Sequence, residues 1–218
     1  MQLKPYDNVI PYLAERLNEH LNRNETVLWL IPGGSAIAIA VEVAKRIANN
    51  PNLSNLSVTL TDERYGNPGH ADENWQQLNK AGFALDGAAL YPVLHGDDGP
   101  TTARTYAEAL TTLLDAADYS VGLFGIGADS HIAGIKPASD AVDTHELTSY
   151  YIGEDFERVT ISFEVMKQLN EVLVAASGEQ KFPTIRAVLH ETYPLDERPA
   201  HILQTLSNVS LFTEYKES

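Results

Sequence analysis

Cysteine is missing from all 218 residues. Disulfides, thiolate nucleophiles and Cys-ligated metals are therefore excluded, and a reducing compartment is compatible. No apolar run approaches the roughly 20 residues that cross a bilayer, and the start, Met1-Gln2-Leu3-Lys4-Pro5, lacks the pattern of a signal peptide. The expected location is the cytoplasm, with no membrane partner. Positive charge is scarce: Lys and Arg number 15 against 30 Asp and Glu, a formal net charge of −15. So acidic a surface repels nucleic acid and anionic lipid. An anionic ligand would require a few of those cations to converge in one cleft. Metal-ligand spacings such as His-x-x-x-His are absent, as is the Gly-x-Ser-x-Gly nucleophile elbow. No metal or organic cofactor is expected.

The chain shows no repeats, low-complexity tracts or linker, so one domain spanning residues 1–218 is expected. Elements alternate. Val9, Ile10, Leu13, Leu17 and Leu21 recur at helical spacing; Thr26 to Ile31 is a short apolar run suited to a buried strand. Residues 36–48 read as a largely buried helix with Ser35 as its N-cap. Strands follow at 56–61 and near 90–94, with a helix at 72–80 between them. A helix begins at Pro100, and strands are expected at 119–126, 158–162, 171–176 and 209–213. Ser177 is placed to cap a helix running to about His190, while His20 and His190 fall on helices and read as surface residues. Strand–helix alternation predicts an α/β fold with an open, mostly parallel twisted sheet and helices on both faces. Ligands bind such sheets beyond the carboxyl ends of the strands.

Four segments stand there. Pro32-Gly33-Gly34-Ser35 lies between a strand and a helix, where glycines let backbone N–H groups approach an anion; it also reads as a tight turn. Thr61-Asp62-Glu63-Arg64 follows the next strand and offers a guanidinium that forks onto phosphate, or else a surface ion-pair cluster. Asn74 can add a neutral hydrogen bond or merely start a helix. In Gly125-Ile126-Gly127-Ala128-Asp129-Ser130-His131 the imidazole can take a proton from water, the carboxylate can hold the ring, and the glycines can leave N–H groups free for an oxyanion. The plain alternative is a histidine in a flexible loop. Ser177-Gly178-Glu179-Gln180-Lys181 puts a lysine in a first helical turn, where the dipole disfavours it unless an anion binds.

Taken in order, and with Arg158-Val159-Thr160-Ile161, these segments resemble the 6-phosphogluconolactonase family, within the wider group that includes glucosamine-6-phosphate isomerases. The resemblance spans nearly the whole chain. It implies a modified Rossmann-like fold and hydrolysis of 6-phosphogluconolactone to 6-phosphogluconate in the oxidative pentose phosphate pathway. It further implies that His131 activates water with Asp129 beside it, and that Gly33, Gly34, Ser35, Asp62, Arg64, Asn74, Arg158 and Lys181 hold the phosphorylated sugar lactone. A monomer or small homo-oligomer is expected. The chain departs from the family at Ser130, where a glycine is usual, and at Lys136 before Pro137, where the isomerase branch carries glutamate. The alternatives are an amino-sugar-phosphate isomerase or deaminase and a sugar-phosphate-binding regulator without turnover.

Overall fold

The computed structural model describes residues 1–217. Its main sheet has seven strands: β1 (Gln2–Pro5), β2 (Val27–Ile31), β3 (Leu56–Leu60), β5 (Ala89–Tyr91), β6 (Tyr119–Phe124), β9 (Glu171–Ala176) and β10 (Val209–Thr213). Their order is β1-β10-β9-β6-β2-β3-β5, and every neighbouring pair is parallel. A second sheet of β4 (Asp62–Arg64), β8 (Glu157–Ile161) and β7 (Thr148–Ile152) is antiparallel. Continuous apolar runs make the central strands: all five residues of β2 and all six of β6 and β9 are buried, as a sheet covered on both faces requires.

The helices are α1 (Val9–Asn22), α2 (Ile37–Ile47), α3 (Asn74–Lys80), α4 (Gly99–Ala116), α5 (Phe163–Gln168) and α6 (Phe182–His190). From β2 the chain steps outward to β3 and β5; from β6 it steps the other way to β9 and β10. Right-handed crossovers then place α1 and α2 on one face and α4 and α6 on the other. The two central neighbours β2 and β6 thus form the topological switch, and the crevice outside their carboxyl ends is where such a sheet binds ligands. Trp29, Phe124 and Phe212 are the bulkiest fully buried side chains of the core.

Several local expectations are corrected. Ser35 does not cap α2; it lies within a 3₁₀ turn, Gly34–Ala36, and Ala36 precedes the helix without a side-chain bond. Likewise Ser177 does not cap α6, which is preceded by a 3₁₀ turn at Glu179–Lys181. Asp98, just ahead of Pro100, caps α4 by accepting the Thr101 N–H at 2.8 Å. His20 is no surface residue: its ring stacks on Tyr119 with centroids 3.6 Å apart. The strand expected near 90–94 stops at Tyr91, because Pro92 cannot donate to the ladder.

Candidate active site

Four neighbouring parallel strands, β9, β6, β2 and β3, deliver their following loops to one edge of the sheet. The small antiparallel sheet folds over that edge and adds β4 and β8. Together they enclose a cavity of about 330 Å³. Gly33, Gly34, Ser35, Asp62, Arg64, Asn74, His131, Arg158 and Lys181 all line it. Asp129 alone among the expected residues is not part of the lining; it is bonded to His131. Pro32, Ala133, Lys136, Asp155 and Phe156 line it as well.

His131 Nδ1 lies 2.6 Å from Asp129 Oδ1, and the same oxygen accepts the His131 backbone N–H at 3.2 Å. An ionised carboxylate only accepts, so Nδ1 carries the proton of that bond and Nε2 is the ring nitrogen left without a partner. The hydrogen bond from His131 holds the Asp129 carboxyl down to about 2. Three elements hold the loop that carries this pair. Thr184 of α6 donates to the Ala128 carbonyl at 2.9 Å, the Ala200 N–H to the Ser130 carbonyl at 2.9 Å, and Tyr151 of β7 to the Gly134 carbonyl at 2.6 Å. Such bracing is needed because Ser130 sits at φ +68°, a left-handed conformation that costs a side-chain-bearing residue about 1–2 kcal/mol.

Gly127 does not leave its N–H free for an oxyanion, as the glycine content suggested. That N–H donates to the His131 carbonyl at 3.0 Å and closes the loop on itself. What Gly127 provides is space. A Cβ at this position would overlap Asp129 Oδ1 and His131 Nδ1. Gly33 has the same character, since a Cβ there would overlap the Asn74 amide.

The Asp62-Glu63-Arg64 segment forms β4, pairing antiparallel with Arg158–Thr160, and so splits its side chains between the two sides of a strand. Asp62 and Arg64 face the cavity. Glu63 points away, fully buried, and accepts the N–H groups of Arg64 at 2.7 Å, Asn74 at 2.6 Å and Trp75 at 3.0 Å. Burial pushes the Glu63 carboxyl up, while these three donors pull it back. No role was read for Glu63 in the sequence, yet it ties β4 to the start of α3 and thereby positions Arg64 and Asn74. Asn74 Nδ2 donates to the Asp62 carbonyl at 3.0 Å. Burial also raises the Asp62 carboxyl, against Thr61, whose hydroxyl donates to it at 3.0 Å.

The cations of the cavity fall into two sets. Arg158 is 7% exposed and grips Asp155 through both terminal nitrogens, at 2.6 and 2.9 Å; Lys136 reaches the same carboxylate at 2.9 Å. Arg158 foremost, and Lys136 after it, hold the Asp155 carboxyl far below the usual range. Arg64 and Lys181 have no carboxylate in ion-pair contact among the described residues. The Arg64 guanidinium lies over the Phe156 ring at 4.6 Å, and burial lowers the Lys181 ammonium. Among the described residues no His, Asp and Glu cluster is arranged to hold a metal ion, and no helix is long and apolar enough to cross a membrane.

Known proteins share this architecture. A 6-phosphogluconolactonase from Shewanella baltica superimposes with a TM-score of 0.81 at 17% identity, covering 97% of this chain and 95% of its own. The 6-phosphogluconolactonase of Trypanosoma brucei gives 0.78 at 20% identity, with the same coverage. In sequence, a glucosamine-6-phosphate deaminase from Pseudarthrobacter chlorophenolicus is 25% identical over 194 residues, 79% of this chain and 73% of the relative. The sequence profile of glucosamine-6-phosphate isomerases and 6-phosphogluconolactonases matches residues 5–211, and the chain belongs to that family.

Proposed function

We propose that the chain hydrolyses a sugar-phosphate lactone, 6-phosphogluconolactone foremost, to the open-chain acid. The observation that carries this reading is His131: its Nδ1 is engaged by Asp129, and its Nε2 makes no hydrogen bond among the described residues while its ring lines the cavity. The phosphate is assigned to Arg64 and Lys181, the cations without a carboxylate partner, with Gly34 and Ser35 beside them. Gly33, Asn74, Asp62 and Arg158 complete the wall around the sugar. His131 Nε2 removes a proton from water, and the resulting hydroxide attacks the lactone carbonyl carbon. The carbonyl electrons move to oxygen, and collapse of the tetrahedral intermediate breaks the bond to the ring oxygen. The imidazolium returns its proton to that oxygen, and Asp129 steadies the charged ring in between. Holding the phosphate fixes the carbonyl against the imidazole, so positioning supplies much of the rate.

A hydrolysis assay corrected for spontaneous opening tests this. His131→Ala is expected to lose about 10²–10⁴-fold of the enzymatic rate. Arg64→Ala is expected chiefly to raise KM, because it removes binding shared by ground and transition states. Unchanged turnover in His131→Ala removes the imidazole from the chemistry.

One observation favours a second reading. Asp62 is a cavity carboxylate raised by burial, as suits a proton shuttle at a sugar carbon, and a deaminase is among the relatives in sequence. Ammonia release from glucosamine 6-phosphate, without lactone turnover, would select that reading. Tight binding of both sugar phosphates without either reaction would select a regulator.

A further inference from the structure

Lys136, Asp155 and Arg158 form a three-charge unit whose members are not equivalent. Arg158 is buried and held bidentately: its two terminal nitrogens take both Asp155 oxygens, and Nη1 also donates to the Phe156 carbonyl at 3.1 Å. Lys136 is half-buried and makes a single hydrogen bond, to Asp155. An ammonium has three donors, so two remain for whatever fills the cavity. Asp155 is shared by two cations, and Arg158 makes two of their three hydrogen bonds to it, so the lysine's charge is only partly offset there. This charge belongs to the reacting end. Lys136 lies five residues beyond His131 on the same loop, and it helps hold the Asp129 carboxyl low.

We propose that Lys136, tethered by Asp155, sets the charge preference of the cavity beside His131. It favours a group that is anionic or becomes so during reaction, and it disfavours an ammonium. The inference rests on the phosphate placement given above and narrows the substrate class to phosphate esters whose far end is an acyl or acid group rather than an amine. Asp155 is a positioning residue here: it fixes the lysine and cancels part of the positive field.

Calorimetric titration of the full chain with three ligands of equal phosphate and different far ends tests this. The ligands are 6-phosphogluconate, glucitol 6-phosphate and glucosamine 6-phosphate, carrying a carboxylate, a hydroxyl and an ammonium respectively. The wild type is expected to bind them in that order of affinity. Lys136→Gln should narrow the carboxylate-to-ammonium affinity ratio by about tenfold, the scale of one charge interacting at moderate separation in a partly wetted site. Asp155→Asn should widen the same ratio, which keeps the test alive should the lysine variant be unstable. A ratio unchanged in either variant overturns the proposal, and so does a wild type that prefers the ammonium or binds none of the three. Retention of the charge preference without lactone turnover would sink the lactonase reading alone.

Discussion

Adding one methyl group at Gly127 should separate catalysis from stability. The backbone there lies outside the left-handed region, so alanine can adopt its conformation. A Cβ would nonetheless overlap Asp129 Oδ1 and His131 Nδ1, the two atoms of the 2.6 Å hydrogen bond. Carbon makes comfortable contacts at about 3.5 Å, so both side chains must retreat by on the order of an ångström. The bond between them does not survive such a displacement. Both are partly solvent-exposed, at 37% for His131 and 49% for Asp129, and can move outward without opening a hole in the core. Gly127→Ala should therefore change unfolding stability by less than about 1 kcal/mol, with the reduced entropy of the unfolded chain acting in its favour. Lactone hydrolysis, in contrast, should fall by about 10²-fold or more, the scale of a lost general base. Denaturant titration and the corrected hydrolysis assay read the two effects separately. A double-mutant cycle sharpens the case: in a His131→Ala background the methyl group should cost almost nothing further, because its target is gone. An undiminished rate in Gly127→Ala would refute the reasoning. An equal further loss in the His131→Ala background would refute it too, as would a loss of stability beyond about 2 kcal/mol.

Other perturbations address the scaffold behind the site. Glu63→Gln swaps a carboxylate oxygen for an amide NH₂, which must face one of three buried N–H donors. A destabilisation of about 1–3 kcal/mol in urea is expected, with a raised KM as β4 and the start of α3 loosen; a neutral substitution would show that these donors find other partners. Asp129→Asn probes linkage. The folded pKa of Asp129 is depressed to about 2, so its stabilisation is fully present above the unfolded carboxyl range near 4 and is lost as pH falls toward 2. The melting-temperature gap between wild type and Asp129→Asn should therefore close as pH falls from about 4 toward 2. A gap that persists undiminished at pH 2 would contradict the assignment of the Asp129–His131 bond.

The main sheet was legible because its central strands announce themselves locally. Val27–Ile31 and residues 172–176 are apolar on both faces, which only a doubly covered strand tolerates. The missed elements lack that signal. The first strand, Gln2–Pro5, is a largely exposed edge whose partner begins at Val209, so nothing nearby in sequence marks it. Helix α5 has six residues, too few for a period to show, although the Ser162 hydroxyl accepting the Glu164 N–H is a cap that Ser-Phe-Glu could have suggested. The small sheet joins a three-residue strand at 62–64 to residues almost a hundred positions later. Its pairing is a tertiary fact that the place of Asp62-Glu63-Arg64 after a strand does not show.

The same distinction explains the cavity. Gly33-Gly34-Ser35, Arg64, His131 and Lys181 could be picked out because each follows a parallel strand, and parallel strands send their following loops to one edge. Nothing in residue type alone could show which cation is already spent. Arg158 and Arg64 are the same residue on neighbouring strands, yet one is locked to Asp155 and the other lies against Phe156 with no carboxylate beside it. In a protein with a net charge of −15, the free cations decide where an anion can settle. A guanidinium held bidentately by a carboxylate gives an incoming phosphate little, since binding must first break that pair. Assigning the phosphate to Arg64 and Lys181, rather than to Arg158, follows from this competition, and it leaves Lys136, held by a single bond to Asp155, as the cation on the loop of His131.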